Sequence, residues 1–154
     1  MLRSKKWFLL VFLVAGLQLF VYQHWAESGP KKNGPAKVEP LSEGISRITL
    51  TPKAVERLDI QTAKITEDSV SFKGKNGGRT ETRRIVPYSA VLYDPTGVAW
   101  AYTNPKPLVY VRKKLTIDFI DGDNAILIDG PPSGTEVVVI GATELYGEET
   151  GIGK

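Results

Sequence analysis

Nineteen consecutive residues without a charge, Trp7 to Trp25 (WFLLVFLVAGLQLFVYQHW), constrain this chain more than anything that follows them. At about 1.5 Å per residue they make roughly 28 Å of helix, close to the hydrocarbon thickness of a bilayer. Trp7 at one end, and Tyr22 and Trp25 at the other, fall where aromatic side chains settle at the two membrane interfaces. Arg3, Lys5 and Lys6 precede the span, so the positive-inside bias leaves the N-terminus in the cytoplasm and everything from Ala26 onward outside. The expectation is a single-pass anchor over residues 1–25, held by Lys5, Lys6, Trp7 and Trp25. A cleaved signal peptide is the alternative. Ala26 would supply the small residue before the cut, but the bulky His24 would stand two places earlier. Both readings export the rest of the chain.

Charge locates the remainder. Of 20 basic residues three precede the span, and the other 17 balance the 17 acids, so the excess of positive charge belongs to the N-terminus and marks no nucleic-acid-binding domain. No cysteine is present, which excludes disulfides, thiolate catalysis and Cys-based metal centres. One histidine, His24, and one methionine, Met1, leave little for a transition metal. No serine has an imidazole partner outside the span, and no phosphate loop occurs. Neither an enzyme nor a cofactor is expected.

Residues 26–44 (AESGPKKNGPAKVEPLSEG) lack apolar periodicity and read as an extended tether. From residue 45 to 154 the pattern is short alternating strands with turn signals every 8–12 residues, the signature of a mostly antiparallel β domain. One short helix is expected after Thr51, an N-cap residue followed by Pro52 at the first helical position. Asn76-Gly77-Gly78, Asp94-Pro95-Thr96-Gly97, Asp121-Gly122-Asp123-Asn124 and Gly130-Pro131-Pro132-Ser133-Gly134 are turns. The single run PLVYVRKKLTIDFI reads as strand. The acids Asp118, Asp121, Asp123 and Asp129 lack a calcium-loop pattern and are expected in a solvated hairpin. Trp100, Tyr102 and Tyr110 alternate beside valines, as packing residues do. Arg112-Lys113-Lys114 and Arg79, Arg83, Arg84 read as an exposed basic face, with a specific anion site as the alternative. Residues 26–114 carry 16 bases and 9 acids, and residues 115–154 one base and 8 acids. Either the domain is electrically polar, or its strands interleave and the charges pair internally.

Two stretches carry a family resemblance. RITLTPKAVERLDIQTAKI, residues 47–65, contains an Asp-Ile-x-Thr-Ala phrase after a strand and short helix. Residues 85–153 contain V-P-x-S-A-V, a D-x-x-G turn, a W-x-Y strand and G-x-x-x-G-x-x-V-V-x-x-G-A. Together, 88 of 154 residues resemble the periplasmic adaptor subunits (membrane fusion proteins) of resistance-nodulation-division efflux pumps. A full adaptor inserts a barrel, a lipoyl-like domain and a long helical hairpin between these stretches; here only residues 66–84 intervene. The resemblance therefore implies the membrane-proximal domain alone: a small antiparallel β-barrel or sandwich with one short helix, in the periplasm, tethered to the inner membrane. It further implies docking by protein–protein contact on an inner-membrane complex such as an efflux transporter; metal handling, known for some adaptors, is not expected here, since the domain offers neither Met nor His as a ligand. Accessory service in another envelope complex, and a soluble periplasmic small-ligand binder released at Ala26, are the alternatives. Tyr88, Tyr93, Asp94, Arg112, Lys113 and Lys114, exposed beside turns, are the candidate partner contacts.

Overall fold

A computed structural model describes residues 34–42, 44–74 and 77–152. The expected anchor, with Lys5, Lys6, Trp7 and Trp25, and the first part of the tether lie outside the described residues. Among the described residues no helix is long and apolar enough to cross a membrane.

Among the described residues eleven strands form two sheets, with every pairing antiparallel. The larger sheet has the order β1 (Ala36–Ser42), β2 (Ile45–Leu50), β8 (Val109–Lys114), β7 (Ala99–Lys106), β11 (Glu136–Ile140), β3 (Gln61–Lys64), with β6 (Leu92–Tyr93) beside the start of β7. The smaller has the order β4 (Thr66–Gly74), β5 (Gly77–Pro87), β10 (Asn124–Asp129), β9 (Thr116–Asp121). The sheets do not close, so the barrel form of the expected fold is replaced by two separate antiparallel sheets. Part of the expected tether is also strand: Lys37 pairs with Thr49 and Val38 with Ile48 in β1–β2. Its polar residues suit an edge, where only one side of the backbone is paired and one side chain in two meets the core.

The chain changes sheet at buried pivots. Ile65, between β3 and β4, donates its N–H to Thr135 O at 2.9 Å, and its carbonyl accepts from Gly134 N at 2.8 Å. Leu115, between β8 and β9, donates to Ala99 O at 2.8 Å. The single run expected over 107–120 is therefore two strands in different sheets. Ile65, Leu115, Val86, Ala125 and Leu127 meet Ala99, Ala101 and Val137 in the core shared by both sheets. Such side chains each contribute roughly 1.5–3 kcal/mol when fully buried.

The opposite face of the larger sheet is covered by helices. The expected one, α1 (Pro52–Arg57), begins at Thr51, whose Oγ1 accepts from Ala54 N at 3.2 Å. It ends at Asp59, whose φ of 48° is left-handed. A second helix, α2 (Ala142–Thr150), was not foreseen in the sequence. Ile48, Leu50, Tyr102, Tyr110 and Val138 of the sheet pack with Ala54 of α1 and Leu145 of α2. The described residues of the stretches 47–65 and 85–152 are thus one unit: β2 pairs with β8 and β3 with β11, and residues 66–74 and 77–84 lie in the β4–β5 hairpin between them.

Candidate functional site

The sequence-selected residues converge on the end of the larger sheet where β6, the start of β7 and the end of β8 lie side by side. Tyr93 faces Ala99 across β6–β7, and Lys114 faces Trp100 across β7–β8. A 3-10 turn, Tyr88–Ala90, takes over where Pro87 ends β5, and it brings Tyr88 beside Tyr93. Both tyrosines are exposed, at 42% and 50%. The Tyr93 hydroxyl is pushed above its ordinary pKa, first by desolvation and then by Tyr88.

Asp94 organises the adjoining turn. Its Oδ1 accepts from Thr96 N at 2.8 Å, Thr96 Oγ1 at 2.6 Å and Val98 N at 3.0 Å, while Oδ2 accepts from Trp100 Nε1 at 3.0 Å. Gly97, at φ 82°, completes the reversal by donating to Asp94 O at 2.9 Å. Hydrogen bonds from Thr96, then from Trp100, hold the carboxyl at a pKa of about 2. A depressed folded-state value favours the charged form, so the turn's pH-dependent stability is complete above the ordinary Asp pKa of about 3.9 and is lost as pH falls through about 2. The Trp100 indole N–H resonance should therefore hold its position down to about pH 4 and move with a midpoint near 2. A midpoint near 4 would mean that these bonds do not persist.

Trp100 leads inward. The Arg112 guanidinium lies 4.5 Å from its ring centre and 5.6 Å from that of Tyr146 on α2. Its Nε is 3.0 Å from Glu149 Oε2, and its Nη2 donates to Gly44 O. The Nε contact is one of charge and lacks hydrogen-bond alignment. Glu149, only 2% exposed at its side chain, also accepts from Ser46 N at 2.8 Å and from the Tyr102 hydroxyl. Burial, then the bond to Glu149, pushes the Tyr102 hydroxyl far above its ordinary pKa. Arg112 was expected as an exposed partner contact. At 8% exposure it is instead buried, because β8 turns it inward beneath α2, where it neutralises a carboxylate. Sequence reasoning missed Glu149; its one signal is an acid in the last turn of a helix that has no base there, where the helix dipole disfavours it.

The basic residues divide along the same lines. Arg83 meets Asp118 at 3.7 Å, Arg84 meets Asp129 at 3.2 Å, and Arg112 meets Glu149. In each of these three pairs the base comes from before residue 115 and the acid from after it, while Lys37–Glu39, Arg79–Glu81 and Arg83–Glu81 pair within the first segment, so the interleaved strands join the two charge pools in part. Arg79 and Arg83 flank Phe72 at 5.2 and 5.4 Å, and Phe72 sits edge-on to Phe119 at 5.9 Å. Tyr102 and Tyr110 are buried, as packing residues. Asp121 and Asp123 bracket the β9–β10 turn, and among the described residues no three His, Cys, Asp or Glu side chains come together around a metal-sized space. Lys113 and Lys114 are exposed. The chain matches no protein-family model, and no curated protein matches it.

Proposed function

We propose that this protein is a membrane-anchored, periplasmic docking subunit that binds an inner-membrane complex, an efflux transporter first of all, through its β domain and without chemistry of its own. The supporting observation is the interleaving of residues 47–65 with 85–152 through β2–β8 and β3–β11, with the β4–β5 hairpin between them. These are the stretches that resemble the two chain ends of an efflux adaptor's membrane-proximal domain. Tyr88 and Tyr93 supply exposed aromatic groups of the kind enriched at interfaces, and Lys113 and Lys114 supply exposed positive charge.

Tethering supplies the rest of the mechanism. Ten residues, 26–35, separate Trp25 from β1, a reach of at most about 35 Å even fully extended. Anchored at Trp25, the domain stays at high effective concentration near any partner that rises from the same bilayer. Purification of the full chain from native membranes in mild detergent should bring down a transporter reproducibly, with the N-terminal span intact. A different complex as the reproducible partner, or a mature N-terminus at Glu27, overturns the reading.

A further inference from the structure

Between the end of β8 and the loop after β10 lies a cleft of about 490 Å³. Pro105 of β7, Pro131 and Pro132 line it together with Thr103, Thr135, Lys113 and Lys114. Neighbouring residues of a strand normally face opposite ways. These two share one cleft because β8 stops at Lys114 and the chain leaves the sheet at Leu115. Neither lysine makes an ion pair among the described residues. The one carboxylate in the lining, Asp129, is already bound to Arg84, whose guanidinium also donates to Gly130 O and to Pro131 O at 3.2 Å and so fixes that wall. The cleft therefore carries uncompensated positive charge beside its prolines.

We propose that this cleft receives a carboxylate-bearing loop of a protein partner, whose acidic side chains pair with Lys113 and Lys114 while its backbone lies against the prolines. Two ammonium groups approaching from different sides of a strand end match a chain segment with separated carboxylates. Headgroups would meet the two charges alone, whereas a chain segment can also lie against Pro105, Pro131 and Pro132, which sets a protein loop ahead of a lipid surface. The inference rests on the docking reading and names the chemistry of the partner.

The test uses the full chain in an uncharged detergent and a fluorescent hexaglutamate peptide, read by anisotropy. Replacing both lysines (Lys113→Gln with Lys114→Gln) should weaken binding about fivefold, from two partly exposed ion pairs. The double arginine replacement should stay within about twofold of the native chain, and Lys106→Gln, which removes a charge outside the cleft, should leave affinity unchanged. Equal affinity of the native and double-glutamine chains overturns the proposal. So does capture by phosphatidylglycerol vesicles through these lysines without hexaglutamate binding. Co-purification that survives while hexaglutamate fails to bind sinks the cleft alone; hexaglutamate binding without any membrane partner sinks the docking reading alone.

Discussion

Glu149→Ala lowers the unfolding free energy by about 3–5 kcal/mol, measured by urea denaturation followed by circular dichroism. The size follows from what the substitution strands. Arg112 keeps a charge beneath α2 with no counter-ion, and Ser46 N and the Tyr102 hydroxyl both lose their acceptor. Against a typical stability of about 5–15 kcal/mol, that is enough to unfold an appreciable share of the molecules. Removing both charges tells a different story. A buried ion pair gains from its own attraction little more than it loses by desolvation, and here Nε is not aligned for a hydrogen bond. Arg112→Met with Glu149→Leu should recover the part of the loss that comes from the uncompensated charge, and leave the part that comes from Ser46 N and the Tyr102 hydroxyl, which still lack their acceptor. A cost below about 1 kcal/mol for Glu149→Ala would show that water reaches the pair and that α2 is held by Leu145 alone.

What could be read beforehand follows how local each signal is. Helix α1 is announced by Thr51 and Pro52, and the hairpin turns by Asp94–Gly97 and Asp121–Asn124, because those residues fix their own backbone. β1 carries no such mark. Lys37, Glu39 and Pro40 give a poor strand pattern, and only the neighbouring edge of β2 makes it one. The break at Leu115 is invisible for the converse reason, since a buried leucine between two β-rich runs looks like their continuation. α2 hides behind Gly147, a weak helix former, and its one fully buried side chain, Leu145. With α2 unseen, Glu149 could not be placed over β8, and Arg112 was left as one more surface cation. Tyr88, Tyr93, Lys113 and Lys114 are exposed, as their places beside turns and strand ends suggest, whereas the burial of Arg112 depends on a carboxylate in the unforeseen helix.

Gly141→Ala costs about 3 kcal/mol, for two separable reasons. Gly141 sits at φ 91° and ψ 7°, where a side chain adds about 1–2 kcal/mol of strain. Its new methyl would also stand 2.1 Å from Ile60 Cδ1 and 3.3 Å from Cγ1, forcing Ile60 out of a packed position. The geometry is imposed by the fold: the chain between α1 and β3 passes under the start of α2, and only a residue without Cβ lets both elements reach the sheet. Gly97→Ala separates the two terms, since Gly97 is left-handed at φ 82° but has nothing within 4 Å of the added carbon. It should cost only the strain. Ile60→Val deletes the offending Cδ1, so the two substitutions at 60 and 141 should together cost at least about 1 kcal/mol less than their sum. Additive costs in that cycle would mean that Ile60 moves aside freely, and that the glycine is there for its backbone angle alone.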